Sequence, residues 1–439
     1  MFQGFFSFQP NYSYLDMIAA LHTIFKKHPV ICTDSRNITP NCIFFALKGE
    51  NFNGNIYAEE ALKKGASYAI IDEAAHQSSD NMILVENVLE TLQKLANYHR
   101  HQLNIPIISL TGSNGKTTTK ELINVVLAKK FQTTATKGNL NNHIGVPLTL
   151  LSMNSETEIG IVEMGANHQK EIAFLSSIAE PDYGYITNFG KAHLEGFGGV
   201  EGVIKGKSEL YDYLKANDKF IFVNNDDPKQ VERTQDANQY TFGSTDTSTI
   251  TIQFIEANPM VHVQVKDTKI RSQLIGAYNF SNIAVAIAIG TYFKVDLSDI
   301  KDAIESYIPS NNRSQIILKE SNKIILDAYN ANPTSMKAAL DNFSNLTDTS
   351  KIAFLGDMFE LGPTATEEHQ HINDYAASLQ IDTIYLIGEH FNSTEDKHNN
   401  IHIYKSFESL KQNFPKVKNS TLLIKGSRGM ALERILELL

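Results

Sequence analysis

Two cysteines, Cys32 and Cys42, are all that this 439-residue chain contains. Two thiols cannot build a disulfide framework or a four-cysteine zinc site, and they fit a reducing compartment in which both are buried. Basic residues are in deficit as well, 39 against 49 acids, for a formal charge of −10. A general nucleic-acid binder needs the opposite excess to hold phosphate backbones, so no nucleic-acid partner is expected. No apolar run approaches the roughly 18 residues that span a bilayer, and Met1–Pro10 lacks the basic start of a secretory signal. The expectation is therefore a cytoplasmic protein without a membrane span, with Phe2, Phe5, Phe6 and Phe8 packed on its first domain. Short-period repeats and low-complexity segments are missing too.

What is present is an ordinary globular balance, 42% hydrophobic and 20% charged, on a chain too long for one core. Three α/β domains are expected, over residues 1–86, 87–310 and 311–439. In the first, short β-rich runs (Val30–Thr33, Ile43–Leu47, Tyr68–Ile71, Met82–Val85) surround a helix from about Ile56 to Lys64 that Gly65 ends. A helix over Val88–His101 leads into an apolar strand, Pro106–Leu110, then a glycine-bearing turn and an amphipathic helix over Lys116–Phe131. Strands at Ile159–Glu163, Gly184–Asn188 and Phe220–Asn224 alternate with helical segments, the pattern of a mostly parallel sheet with crossover helices. Thr249–Ile275 differs. Its alternating Val261, Val263 and Val265 after Asn258-Pro259 predict an antiparallel hairpin. A doubly wound third domain follows, with strands near Ile324–Leu326, Ile352–Leu355, Thr383–Ile387 and Leu422–Ile424.

Thr111-Gly112-Ser113-Asn114-Gly115-Lys116-Thr117-Thr118 sits between an apolar strand and a helix, the context of a phosphate-binding loop. Backbone N–H groups and the helix N-terminus would cradle phosphate oxygens, Lys116 would reach the terminal phosphates, and the Thr117 hydroxyl would ligate Mg²⁺. The full Walker pattern is absent, because Leu110 stands where its first glycine should be. Magnesium needs further hard oxygen donors. Glu163, closing an apolar strand, is one candidate, since strand ends in open α/β sheets face the ligand crevice; a solvated strand cap is the other reading. His193-Leu194-Glu195 alone is weak, and a zinc deaminase is excluded because neither cysteine is placed for the P-C-x-x-C partner. Lys205 and Lys207 read by default as an exposed helix start.

Several further runs, in this order, resemble the Mur ligases, which add amino acids to the UDP-linked peptidoglycan precursor. They are Thr33-Asp34-Ser35-Arg36, Phe44-Phe45-Ala46-Leu47-Lys48-Gly49, the phosphate loop, Gly276-Ala277-Tyr278-Asn279-Phe280-Ser281-Asn282, Asn312-Arg313 and Lys425-Gly426-Ser427-Arg428-Gly429. Three stretches are similar to the branch that adds D-alanyl-D-alanine: residues 139–150, from Asn139 to Leu150; Glu163-Met164-Gly165-Ala166-Asn167-His168; and Leu355-Gly356-Asp357-Met358-Phe359-Glu360-Leu361-Gly362.

The resemblance implies a UDP-substrate domain, a central ATP-binding P-loop domain and a C-terminal Rossmann-like domain for the incoming dipeptide. It implies ATP and Mg²⁺, with a carbamate on Lys207 that turns a cation into an oxygen ligand beside His193, while Lys205 stays on the surface. Thr117, Glu163, His193 and Lys207 would hold the metal, and Lys116, Glu163, His193 and Lys207 would serve catalysis. Gly112, Ser113, Asn114, Gly115, Lys116, Thr117, Thr118, Asn279, Asn282, Arg313 and Asp327 would bind ATP. An N-cap role for Asn279 is the structural alternative. Ser35, Arg36, Asn139, Asn142, Asn330 and Asn332 would contact substrate, although Asn330 and Asn332 read equally as turn and cap residues. The family's F-D-G-H reads Phe52-Asn53-Gly54-Asn55 here, a departure in the UDP pocket. The implied reaction joins D-alanyl-D-alanine to UDP-N-acetylmuramoyl-tripeptide through an acyl phosphate, in a monomer whose third domain closes over the central one. Its rivals are a sister ligase adding a single amino acid to UDP-muramoyl-dipeptide or extending folate with glutamate, and a nucleotide-dependent switch or binding module without chemistry.

Overall fold

A computed structural model describes residues 14–309, 312–395 and 398–439; Phe2, Phe5, Phe6 and Phe8 lie outside the described residues. The chain forms two compact units, one of residues up to Ser109 with Phe131–Gly165 and Ala173–Tyr183, the other of Leu110–Lys130, Ala166–Ile172 and Gly184–Leu439.

In the first unit a parallel sheet runs in the order Ile31–Cys32, Ile43–Phe45, Tyr68–Ile71, Met82–Leu84. Its core gathers Cys32, Cys42, Phe44, Ala69, Ile71 and Met82 with Ala58 and Ala61 of helix Ala58–Lys63. Both cysteines are free and buried. Burial pushes the Cys42 thiol up to about 12, with Cys32 beside it adding to the shift, so it behaves as a small apolar side chain. Helix Val88–Leu103 is capped by Asn87, whose side chain accepts from the Glu90 N–H, and ends at Asn104 in the left-handed region. Strands Thr133–Ala135 and Ile159–Glu163 pair in parallel, the second with all five residues buried. A strand buried on both faces reads as a continuous apolar run, as Ile159–Val162 does.

Strand Ile107–Thr111 carries the chain from the first unit into the second and leads into helix Lys116–Leu127. There, strands Phe220–Asn224, Asn238–Gly243 and Ile250–Thr251 pair in parallel. Helix Phe280–Tyr292 is buried on almost every side over residues 282–290, which explains its lack of a polar face. The predicted hairpin after Asn258-Pro259 has a third member: Gln253–Ala257, Met260–Val265 and Thr268–Ile275 form an antiparallel sheet. Val261, Val263 and Val265 alternate inward as the sequence period demands.

The third segment is a six-stranded sheet in the order Gln315–Lys319, Asn322–Asp327, Thr421–Lys425, Lys351–Gly356, Thr383–Ile387, Ile401–Tyr404, parallel except for its antiparallel first strand. The expected four strands are its centre. Gln315–Lys319 and Ile401–Tyr404 are additional edge strands with mixed, half-exposed faces. Among the described residues no helix is long and apolar enough to cross a membrane.

Candidate functional site

The turn after Ile107–Thr111 is built for a close approach of backbone. Gly112 has φ +141, and a Cβ on it would stand 2.0 Å from the Thr187 hydroxyl; Gly115 has φ +78, and a Cβ there would stand 2.7 Å from the Asn282 amide. Both positions therefore need glycine. Asn188 braces the turn: its Oδ1 accepts from the Asn114 N–H at 3.1 Å, its Nδ2 donates to the Asn114 carbonyl at 3.0 Å, and its own carbonyl accepts from the Ser113 N–H at 3.1 Å. The Ser113 hydroxyl donates to the Gly190 carbonyl at 2.8 Å. No side chain caps helix Lys116–Leu127, whose N-cap is Gly115, so its first turn is open to an anion. Lys116 folds over the loop, its Nζ donating to the Gly112 carbonyl at 2.8 Å. Thr117 and Thr118 are buried at the start of the helix.

Lys207 is 0% exposed in the middle of helix Val200–Ala216, whereas Lys205 on the same helix is exposed. Its Nζ donates to the Ala166 carbonyl at 3.0 Å and lies 4.9 Å from the centre of the Phe197 ring. Burial holds its amine well below the usual lysine range, and the charge of Lys116 pushes the same way, against Glu171 and Glu209. A neutral amine keeps the nitrogen lone pair that can add carbon dioxide, and a carbamate formed there would set a negative charge against Lys116. His193, with φ +53, begins the short helix Leu194–Phe197, and its Nδ1 bonds the Glu360 carboxylate. This bond leaves Nε2 for another partner. Among the described residues no three His, Cys, Asp or Glu side chains gather in one metal-binding group. Magnesium here would depend on the threonine hydroxyl, a carbamate and phosphate oxygens for the rest of its shell, a donor set that suits a hard cation.

In the first unit, Glu163 is 1% exposed at the end of its strand. It accepts from the Asn141 side chain at 2.8 Å, and the Asn141 carbonyl accepts from the Gly165 N–H at 2.7 Å. It is a buried carboxylate, not a solvated cap. Asn142 turns its Oδ1 to the N–H groups of Ile144 and Gly145, at 3.1 and 2.9 Å, and Asn139 is exposed. Arg36 is held by Asp34, with contacts of 2.9, 3.2 and 2.7 Å, and its neighbour Ser35 offers its carbonyl to Lys64 at 2.9 Å. The Arg36 guanidinium draws the Asp34 carboxyl far below the usual range. Asn55 is 1% exposed and exchanges hydrogen bonds with Asp72, both at 2.9 Å, while Asn53 donates to Glu73 at 3.0 Å. The departure from the family pattern thus supports a pair of carboxylates, to which Lys48 adds a salt bridge of 3.0 Å with Asp72.

Asn279 and Asn282 face the same side, as their spacing requires. The Asn282 Nδ2 donates to Asn279 Oδ1 at 2.8 Å, Thr119 donates to Asn282 Oδ1 at 3.0 Å, and Asn279 Nδ2 donates to the Ile275 carbonyl at 2.8 Å. Asn279 makes no side-chain cap, so the N-cap alternative fails. Of the two amides, Asn282 lies against Gly115 of the loop.

The third segment reaches the loop from the other side. Arg313 stacks 3.7 Å over the Tyr329 ring, and its Nε is buried without a hydrogen-bond partner, a costly state that a ligand acceptor would relieve. Asp327 accepts from Lys425 at 2.6 Å and from the Ser314 N–H at 3.1 Å. Asn332 caps helix Pro333–Ser344 with a full capping box and also donates to Asn114 of the loop at 2.7 Å. Asn330 accepts from the Ala331 N–H at 2.9 Å. Lys191 pairs with Glu368 at 2.5 Å and its N–H donates to Thr334 at 3.0 Å.

Sequence reasoning missed Asn141, Lys191 and Glu360 and gave Asn188 no role. Asn141 and Glu360 sit inside runs already singled out, and that position was the only signal.

Residues 29–109 match the Mur ligase family catalytic domain, 110–290 the Mur ligase middle domain, and 312–428 the Mur ligase glutamate ligase domain. The chain is 33% identical over 427 residues to the UDP-N-acetylmuramoyl-tripeptide--D-alanyl-D-alanine ligase of Bacillus subtilis, covering 93% of this chain and 92% of that one. It is 31% identical to the enzyme of that name in Escherichia coli, over 93% of each chain. Among solved structures it is similar to MurF from Acinetobacter baumannii, with a TM-score of 0.82 and 30% identity over 93% of this chain and 92% of that chain. MurF from Thermotoga maritima in complex with ADP gives a TM-score of 0.79 at 27% identity, over 93% and 96%. This chain belongs to the Mur ligase family, in its MurF branch.

Proposed function

We propose that the chain joins D-alanyl-D-alanine to UDP-N-acetylmuramoyl-tripeptide at the expense of ATP, yielding the pentapeptide, ADP and phosphate in the cytoplasm. The observation that carries this reading is the near full-length likeness to ligases of that name. The braced glycine turn and the buried Lys207 supply the chemistry such a reaction needs. We assign residues 1–86 to the UDP substrate, 87–310 to ATP and 311–439 to the incoming dipeptide, in a chain acting as a monomer.

Condensing a carboxylate with an amine is uphill in water, so the carboxylate must first gain a leaving group. The loop N–H groups of residues 112–117 and Lys116 bind the ATP phosphates, with Lys116 moving from the Gly112 carbonyl to the transferring phosphoryl group. Asn279 and Asn282 meet the nucleoside, and Arg313 offers its unsatisfied Nε to it, with Asp327 at its side. Thr117, Glu163, His193 and a carbamate on Lys207 would hold magnesium, whose contribution is to offset repulsion between the γ-phosphate and the carboxylate. A carboxylate oxygen takes the γ-phosphoryl group and ADP leaves. The neutral amine of the dipeptide then attacks the carbonyl carbon, the nitrogen sheds a proton, and phosphate departs with the C–O bonding electrons. An α-amine with pKa near 8 is already partly neutral, so no strong base is needed. Ser35 and Arg36 help hold the UDP-sugar, Asn139 and Asn142 contact substrate, and Asn330 and Asn332 meet the incoming dipeptide.

The test is phosphate release from ATP and UDP-N-acetylmuramoyl-tripeptide with different amines, with mass spectrometry of the product. D-alanyl-D-alanine is expected to support release and to give the pentapeptide. Release driven by a single amino acid instead, or none with any amine, would remove the assignment.

A further inference from the structure

The run from Leu355 to Gly362 contains Glu360, to which the reaction above gives no part. It leaves the end of strand Lys351–Gly356 and is pinned at its base. Asp357, 2% exposed, accepts from the N–H groups of His390 and Phe391, each at 3.0 Å. His369 accepts the Met358 N–H on Nε2 at 2.9 Å and turns Nδ1 to the Ala365 carbonyl at 2.6 Å, a pattern that needs the neutral ring with its proton on Nδ1. The Phe359 N–H donates to the Ser427 hydroxyl at 2.9 Å.

The tip of the run is seated on helix Leu194–Phe197. The Glu195 N–H donates to the Glu360 carbonyl at 3.3 Å. Gly362, with φ +57, comes so near that an added Cβ would stand 3.1 Å from the Glu195 Cβ. Between these two contacts the Glu360 carboxylate bonds His193 Nδ1, and both residues hold left-handed backbone, with φ of 60° and 53°. Non-glycine residues keep that conformation where surrounding contacts overdetermine it, and such positions cluster at functional sites.

We propose that Glu360 is a positioning residue for the metal centre: its carboxylate accepts a hydrogen bond from His193 Nδ1–H and so fixes the tautomer and ring plane that present Nε2 for coordination. The inference rests on the ligase reading above. A histidine that ligates through one nitrogen is ordinarily held at the other by a carboxylate or carbonyl. His193 and Glu360 lie 167 residues apart, on the central and third segments, so the bond does more than orient a ring. It makes the histidine competent only when the run from Asp357 to Gly362 is seated, which couples the metal site to the placement of the third segment.

The experiment is Mn²⁺ binding by electron paramagnetic resonance, with ADP present and both peptides absent so that no turnover occurs. It uses the full chain, Glu360→Ala, Glu360→Gln and Glu368→Gln. Glu360→Ala is expected to weaken Mn²⁺ by roughly 10- to 100-fold while leaving metal-free ADP affinity unchanged. Glu360→Gln keeps an oxygen that accepts the Nδ1 proton and should recover most of that loss. Glu368→Gln breaks the neighbouring pair with Lys191 without touching His193, and should bind Mn²⁺ like the wild type. In ¹⁵N spectra with diamagnetic Mg²⁺ in place of Mn²⁺, His193, identified by its loss in His193→Gln, should show the Nδ1–H tautomer in the metal-bound wild type. Unchanged Mn²⁺ affinity in Glu360→Ala, or an Nε2–H tautomer in that state, would overturn the proposal. A wild-type chain that binds no Mn²⁺ beside ADP would remove the ligase reading, and this one with it.

Discussion

Replacing Lys207 by methionine should make the fold more stable while destroying the reaction, and the gain should depend on pH in a defined way. The ammonium is disfavoured because the side chain is 0% exposed and Lys116 adds like charge, which draws the folded side chain toward the free amine. The unfolded chain carries it protonated up to the ordinary lysine value near 10.4. Between the two values the unfolded state binds one more proton, so the stability of the wild type falls as the pH falls, by about 1.4 kcal/mol per pH unit. Methionine has a similar shape and no titration. The advantage of Lys207→Met over wild type should therefore grow by up to about 2.7 kcal/mol between pH 9 and pH 7, twice the value per unit, for as long as the folded amine stays neutral. Urea titrations in buffers free of carbon dioxide, followed by far-ultraviolet circular dichroism because the chain has no tryptophan, measure the difference. Bicarbonate should then raise the midpoint of the wild type alone. A stability difference that is flat with pH would show that Lys207 stays charged inside the fold, and the carbamate would lose its chemical basis.

Gly115→Ala should fold poorly around the nucleotide, since the new Cβ meets Asn282 at 2.7 Å at a φ of +78; ATP affinity by calorimetry is expected to fall by at least tenfold, about 1.4 kcal/mol, and an unchanged affinity would mean the loop is not the nucleotide site. Asn282→Ala leaves the buried Thr119 hydroxyl without its acceptor and should cost about 1–3 kcal/mol in denaturant unfolding, together with a raised KM for ATP. Asn332→Ala removes a capping box and the bond to Asn114, for a loss of roughly 0.5–2 kcal/mol; if Asn332 acts only as a cap, KM for ATP will not move.

Local chemistry was legible in the sequence and long-range pairing was not. The turn from Thr111 to Thr118 declares itself because a strand, two glycines and a helix start lie within a few residues, and strands Ile159–Glu163, Phe220–Asn224 and Thr383–Ile387 occur where apolar runs put them. The added edge strands Gln315–Lys319 and Ile401–Tyr404 are half-exposed, and their apolar signal is short: a run of three, Ile316-Ile317-Leu318, in one and isoleucines interrupted by His402 in the other. The hairpin reading stopped a strand short because the additional strand, Gln253–Ala257, is exposed along nearly its whole length and carries no inward-facing alternation. Lys207 was readable only by resemblance, since a lysine in K-G-K-S-E looks solvated until the helix is packed. Partners such as Asn141 for Glu163, 22 residues apart, or Glu360 for His193, at 167, are created by folding and leave no mark of spacing. Arg36 is the opposite case: its bond to Asp34, two residues away, is local and accounts for a guanidinium otherwise open to substrate.

The central claim, activation of a carboxylate by phosphoryl transfer, is tested most directly by following oxygen. UDP-N-acetylmuramoyl-tripeptide labelled with ¹⁸O in its terminal carboxylate is incubated with ATP, magnesium, D-alanyl-D-alanine and the full chain. The account predicts one labelled oxygen in each phosphate released and the other in the new amide carbonyl. Phosphate without label, formed alongside pentapeptide, would contradict the acyl phosphate route.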